Sequence, residues 1–354
     1  MKKILFALCF LGLHYCSAQE SGAITDTKTL WTSPCEDQGQ SSTCWSYSGM
    51  SFFQSEVQRI GKFENLNLSE MFVLRNIYPL KADNYVRMHG KAQFSEGGEF
   101  SDDLLCLKHF GLMPQESFPT YGASYQPMVN SVDSLVKKTA ISETLSPTWK
   151  TALSQILDRG LGKPPETFSF QGKTYTPKSF AKALGLDAEN YVVLGSFTHQ
   201  SYYAKNILQV PDNWKWEQFY NIPLDELLKL ASTAIEKGFS VAWAADVTGG
   251  FQPNQKIQRL TVTNGVEEFV SAESRQSAFD DFHTQDDHAM HLVGLGKDAK
   301  GNGYFKVKNS WGPKIATGEF FYVSMPYFSK NTISIMLHKD ALPKALKKKL
   351  GIAG

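Results

Sequence analysis

Asp37-Gln38-Gly39-Gln40-Ser41-Ser42-Thr43-Cys44-Trp45 is the stretch on which the reading of this chain turns. Downstream of it Trp45, Phe52, Phe53, Val57 and Ile60 recur at helical spacing, and Gly61 suits a C-terminal cap. Ser41, Ser42 and Thr43 are all competent N-caps, which puts Cys44 in the first turn of a largely buried helix. Free amide N–H groups and the helix dipole favour negative charge there, so a lowered thiol pKa is expected. Gln38, six residues upstream, carries an amide that can point at the same place. That amide and the Cys44 backbone N–H are the two donors an oxyanion hole requires. The competing reading is a structural cysteine at a helix start, and the choice depends on finding a base elsewhere in the chain.

The 354 residues suffice for one large domain or two modest ones. With 42% hydrophobic and 20% charged residues, the composition is that of a folded globular protein. A formal charge of +1 gives no reason to expect a nucleic-acid or anionic-lipid partner. Residues 1–18 stand apart: Lys2 and Lys3 precede an apolar run from Ile4 to Leu13, and Cys16-Ser17-Ala18 offers small residues at a cleavage site. A cleaved secretory signal is expected, with the mature domain covering 19–354; losing Lys2 and Lys3 takes the charge from +1 to −1. Lipidation at Cys16 is the alternative, disfavoured by the bulky Leu13-His14-Tyr15 before it. No later stretch is long and apolar enough to span a membrane. Three cysteines remain, Cys35, Cys44 and Cys106. An odd number leaves at least one thiol unpaired, and buried free thiols at Cys35 and Cys106 are expected over a bridge between them.

Further helices are predicted at Asn67–Ile77, capped by Asn67 or Ser69, and at Ser101–Phe110, closed by Gly111 and stopped by Pro114. Between them, Ser95-Glu96-Gly97-Gly98-Glu99 breaks the pattern, its paired glycines suiting a tight turn or close approach of a ligand. Residues 120–235 are less strongly patterned. They give helices at 131–139, 148–159, 178–184 and 223–237, and a hairpin at Phe168–Tyr175 after the rigid Lys163-Pro164-Pro165. The aromatic-rich stretch from Tyr202 to Tyr220 is read as packing. Strands follow at Ser240–Asp246, His288–Leu295, Tyr304–Asn309 and Glu319–Val323. Helices first and strands afterwards describe an α+β protein whose layers meet along a seam.

The base comes from that last third. In Tyr304–Asn309 alternation puts Phe305, Val307 and Asn309 on one face, and the hairpin would bring Asn309 near His288. The Asn309 carbonyl is expected to accept the imidazole Nδ1–H, aiming Nε2 outward, with Trp311 covering the pair. A thiolate nucleophile, an imidazole acid/base and an orienting amide would then stand at Cys44, His288 and Asn309. His291 points to the opposite strand face, and His89, His109, His199, His283 and His338 lack a comparable orienting neighbour. No group of side chains has metal-ligand spacing, and no cofactor is implied.

With these residues in hand, the sequence resembles a papain-type cysteine peptidase, most closely the bleomycin hydrolase and aminopeptidase C family. Gln38-Gly39, Cys44-Trp45, Asp287-His288-Ala289-Met290 and Asn309-Ser310-Trp311-Gly312 match that family's active-site motifs in order. Glu96-Gly97-Gly98, Lys163 to Phe168 and Trp243 to Val247 match outside the chemistry. Cys44 and His288 stand 244 positions apart, against roughly 130–150 in simple papain relatives; an inserted helical region at about 120–235 accounts for the excess. The resemblance implies a helical layer and an antiparallel β layer with the cleft between. It also implies Gln38 as oxyanion donor, Cys44 as nucleophile, His288 as acid/base, Asn309 as orienter, and Gly97 and Gly98 as the wall along an extended substrate.

The chain departs from the family pattern in three ways. Ser42 stands where relatives usually have glycine, family members are mostly cytosolic, and the chain stops at Gly354, too soon to copy the relatives' cleft-filling tail. The expected function is therefore an exported peptidase acting on peptide or protein substrates through an acyl-enzyme. Trimming from the amino end is the first expectation; internal cleavage, acyl transfer and a silent peptide-binding relative are the rivals. An oligomer is compatible with the resemblance but not implied by the residues. The lysines at 344, 347, 348 and 349 are read as a solvated helix face rather than a nucleic-acid site.

Overall fold

The computed structural model describes residues 23–119, 125–264, 266–314 and 318–353. The expected leader, 1–18, lies outside them.

Cys44 opens α1 (Cys44–Arg59), which is buried on every side from Trp45 to Val57 although it is rich in polar residues. Its serines are small enough to let neighbours approach, and each is satisfied: Ser46 donates to Glu70 O, Ser48 to Cys44 O and Ser55 to Trp31 O. Against α1 pack α2 (Glu70–Arg87) and α3 (Phe100–His109); α4 (Tyr125–Ala140) and α5 (Trp149–Leu161) pack on α2, and α6 (Pro177–Leu184) on α3. Ser69 caps α2 by accepting from Phe72 N, as expected. The helix then runs ten residues past the predicted end at Ile77, straight through Pro79. A mid-helix proline costs about 3 kcal/mol; Tyr78, Lys81, Ala82 and Val86 beyond it are buried, and that packing outweighs the lost bond.

The strands are β1 (Thr25–Thr29), β2 (Phe168–Phe170), β3 (Lys173–Tyr175), β4 (Tyr191–Gly195), β5 (Ala204–Ile207), β6 (Gln218–Asn221), β7 (Val241–Ala245), β8 (Ile257–Gln258), β9 (Val262–Thr263), β10 (Val266–Glu267), β11 (His288–Lys297), β12 (Gly303–Lys308), β13 (Phe320–Ser324) and β14 (Thr332–His338). Helices α7 (Leu224–Glu236), α8 (Ala272–Asp280), α9 (Met325–Asn331) and α10 (Lys344–Leu350) accompany them. One ten-stranded sheet runs β5-β6-β4-β14-β7-β11-β12-β13-β8, with β1 added on β11. Residues 120–235 are thus not purely helical: β4, β5 and β6 come from them and extend the sheet, β4 pairing with β14 from Ile335↔Leu194 to His338↔Tyr191. The short Tyr191-Val192-Val193-Leu194 run, half hidden among aromatic residues, is what the helical expectation passed over.

The sheet is packed on both faces. Along β7, Ala242 and Ala244 turn toward the α1–α6 layer, while Val241, Trp243 and Ala245 turn toward α7, α9 and α10. Two-sided burial explains why this strand reads as an unbroken apolar run. Small alanines on the first face let α1 lie close to the sheet, so its N-terminus meets the beginning of β11 at the cleft.

Candidate active site

The loop before α1 is tied to the loop after β12. Gln38 N donates to Ser310 O (2.8 Å), Gly312 N donates to Glu36 O (3.1 Å), and the Cys35 thiol donates to Asn309 O (2.9 Å). Three hydrogen bonds therefore join the two loops. Gln38 itself is buried; its oxygen accepts from Ser310 Oγ (2.5 Å) and its amide donates to Ser41 O (2.7 Å). Ser41 Oγ donates to Gln38 O, and Thr43 takes the N-cap position without a side-chain cap bond. The serine and threonine run thus shapes the loop rather than capping α1.

Gln38, Cys44, Gly97, Gly98 and His288 line one cavity of about 140 Å³. Asn309 stands behind His288, its carbonyl 2.8 Å from the imidazole Nε2 and also accepting from Ser310 N. The predicted nitrogen was the wrong one. Nε2–H is donated to Asn309, which leaves the Nδ1 lone pair for a proton from the cavity. Alternation along β12 places Asn309 but cannot tell which edge of the ring faces it. Trp311 covers the pair as expected, its ring 5.0 Å from that of His288 at 24°.

Cys44 is a free, half-buried thiol. The backbone N–H groups of Ala289 and Trp45 point at its sulfur and favour the thiolate, but burial outweighs them and pushes the thiol up to about 12. Asp286 and Asp212 push in the same direction. The expectation of a lowered pKa fails here because the helix-terminus effect is smaller than desolvation. Burial also brings His288 down to about 4, against the opposing bond to Asn309. Both groups rest neutral. Cys35 and Cys106 are free and buried, as expected.

Gly97 and Gly98 are needed for close packing. A Cβ at 97 would lie 1.9 Å from Asp212 Oδ2, and one at 98 would lie 2.8 Å from the Trp45 ring. Trp45 Nε1 donates to Glu96 O and Ser42 N donates to the Glu96 carboxylate, locking the glycine loop to the start of α1. Lys81 is buried beneath it and donates to Ser95 O and Gly97 O. Besides Asp287 of the matched motif, which accepts from Val247 N and Thr248 N, three acidic residues that sequence reasoning assigned no role line the cavity, namely Glu99, Asp212 and Asp286. Asp286 and Glu99 lie beside matched motifs, whereas nothing in the sequence marks Asp212. No cluster of potential metal ligands occurs among the described residues, and no described helix is long and apolar enough to cross a membrane.

A helical layer and a sheet meeting at a cleft that holds a thiol and an amide-bonded imidazole define the papain-like class. The chain belongs to the Peptidase C1-like family, whose model matches residues 81–352. It is similar to aminopeptidase G of Lactobacillus delbrueckii subsp. lactis, 25% identical over 366 residues covering 89% of this chain and 83% of the relative. Aminopeptidase C of Listeria monocytogenes is 23% identical over 372 residues, covering 89% and 82%. The crystal structure of PepW from Lactobacillus rhamnosis HN001 superposes with a TM-score of 0.75 at 18% identity, over 92% of this chain and 84% of that one.

Proposed function

We propose that this chain is an exported cysteine aminopeptidase whose mature domain begins near Gln19 and which works through an acyl-enzyme. The observation that carries the reading is the 2.8 Å bond from His288 to Asn309, with His288 opening on the cavity that also holds Cys44 and Gln38. Because thiol and imidazole both rest neutral, the Cys44 proton passes to His288 Nδ1 as sulfur attacks the substrate carbonyl. The Gln38 amide and the Cys44 N–H, which has no intrahelical acceptor in the first turn, receive the developing oxyanion. His288 then protonates the leaving amine, and water drawn through the same imidazole hydrolyses the thioester. The names of the relatives support attack at the amino-terminal residue.

A second reading, internal cleavage, draws on one observation. Beyond Gly97 and Asp286 a recess of about 480 Å³ continues between Tyr78, Phe94 and Val132, with room for further residues on the acyl side of the cut. Leucyl-7-amido-4-methylcoumarin and its N-acetyl derivative compared side by side separate the two readings. Preference for the free amine is expected; cleavage of the blocked compound alone would remove the aminopeptidase reading. Export is checked by mass spectrometry of the secreted chain, with Gln19 expected at the amino terminus.

A further inference from the structure

The α-nitrogen of an amino-terminal residue lies about 2.5 Å from the carbonyl carbon under attack, as backbone bond lengths and angles require. Whatever recognises that nitrogen must therefore share the small cavity with Cys44 and His288. In an internal peptide the nitrogen is a neutral amide, whereas at a free amino terminus it is a cation.

Two carboxyl groups occupy that cavity face to face. Glu99 is only 4% exposed. It caps α3, yet its Oε1 finds no hydrogen-bond donor among the described residues. Asp286, two residues before His288 and half-buried, meets the Glu99 carboxyl; burial raises the proton affinity of both, Asp286 raises that of Glu99 further, the hydrogen bond from Glu99 lowers that of Asp286, and Asp212 adds to both. Asp212 stands at the rim, held by Ser95 Oγ (3.0 Å). No ion pair with Lys, Arg or His involves any of the three among the described residues. The nearby cations are committed elsewhere: Lys81 to the carbonyls of Ser95 and Gly97, Lys215 to Asp102 (2.8 Å) and Ser101. A buried and a half-buried carboxyl without a counter-charge destabilise the free protein, and a cation placed between them relieves both.

We propose that the Glu99–Asp286 carboxyl pair, with Asp212 at its rim, receives the α-ammonium group of the substrate and gives this cleft its preference for an unblocked amino terminus. The inference rests on the aminopeptidase reading and names the residues behind it. Binding returns one proton of the shared pair to solvent and places the ammonium against a dicarboxylate. A blocked amine, neutral and carrying an acyl group, gains nothing there and collides with the wall.

The test uses the full mature chain with Asp286→Asn, Glu99→Gln and Asp286→Glu. Both amide variants are close in shape to the native residues, and Gln at 99 retains an oxygen for the α3 cap. Leucyl-7-amido-4-methylcoumarin, its N-acetyl derivative and N-acetyl-arginyl-leucyl-7-amido-4-methylcoumarin are the probes, and Cys44 alkylation by iodoacetamide counts folded sites. The ratio of kcat/KM for free over blocked leucyl substrate is expected to fall at least tenfold in Asp286→Asn and Glu99→Gln, chiefly through KM, and to recover in Asp286→Glu. If one amide variant fails to fold, the other carries the comparison. An unchanged ratio overturns the assignment while leaving the aminopeptidase reading intact. A wild-type protein that cuts only blocked substrates removes that reading first and this one with it. Selective loss of the arginyl substrate in the variants would instead assign the pair to a basic side chain and overturn the proposal.

Discussion

At the open end of β11, His288 carries Trp311 on one face, gives Nε2–H to Asn309 and turns its remaining edge to the cleft. Three residues along the same strand, His291 points into the other side of the pleat, where Nδ1 meets Ser51 Oγ (3.0 Å) and Nε2 has no partner among the described residues. Lys308 donates to Ser51 and Ser33 beside it, and Glu70 completes a polar pocket whose void, about 10 Å³, has the room of a single water. Burial holds both imidazoles neutral, and Lys308 pushes His291 further in that direction. The two rings share a chemical type and a protonation state. What separates them is access: one has a free nitrogen on a cavity that a substrate can enter, and the other closes a network under α1.

The sharpest way to break that comparison is to remove the group His288 is proposed to serve. Cys44→Ala is expected to lower kcat/KM by about 10⁴-fold or more, since loss of the proposed nucleophile removes the covalent path. Melting and far-ultraviolet spectra should stay close to wild type. Retained activity would detach the cleft from the proposed chemistry. Asn309→Ala comes next. It takes away the acceptor that fixes the tautomer of His288, and a loss of about 10²-fold in kcat is expected. KM should change little, because Asn309 does not line the cavity. A change confined to KM would make Asn309 part of the substrate wall instead.

His291 gives the converse case. His291→Ala leaves Ser51 and Lys308 without one neighbour in a closed pocket, and a loss of about 1–3 kcal/mol in unfolding free energy is expected. Turnover per folded molecule should stay within about twofold. The acid limb of stability should also become shallower in this variant. A buried imidazole with a depressed pKa binds its proton in the unfolded chain first, so native stability falls as pH drops below about 6.5. Removing the ring removes that contribution. If catalysis falls and stability does not, the division between the two histidines is wrong.

Much of this contrast was legible in the chain. Opposite parity on a strand separates position 288 from 291, and an amide closing the inward face of the neighbouring strand singles out 288. The helical start at Cys44 and the Gln38 segment were equally plain, since local spacing carries that information. The rest depended on distances that the sequence does not encode. Ring orientation is set by where the chain just beyond β12 places Asn309 relative to His288. The thiol pKa is set by how deeply the first turn of α1 is covered. Asp212, far from both halves of the cleft in sequence, reaches it only because the segment between β5 and β6 folds back over Gly97. In the same way β4 could not be seen as a sheet strand until β14, with Ile335 pairing Leu194 across 141 positions, was there to pair with it.

The last effect belongs to the closed pocket and is read in pH rather than rate. Burial raises Glu70 from its ordinary value to about 8, and burial brings Lys308 down to about 8 from above 10. The signs are opposite. Between about pH 4.5 and 8 native Glu70 keeps a proton that the unfolded chain has lost, so stability falls as pH rises through that window. Between about pH 8 and 10.5 the unfolded chain keeps the Lys308 proton that the native one has lost, so stability rises with pH. Together the two groups contribute a dip near pH 8. Glu70→Gln removes its first limb and keeps an amide in the same space. Urea midpoints of wild type and variant should therefore diverge from pH 5 to 8, the variant gaining at most about 1.4 kcal/mol for each unit. Lys308→Met should remove only the limb above pH 8. Parallel curves for wild type and Glu70→Gln would mean that the carboxylate is already compensated in the folded chain, and that the pocket beneath α1 is as well solvated as the cleft above it.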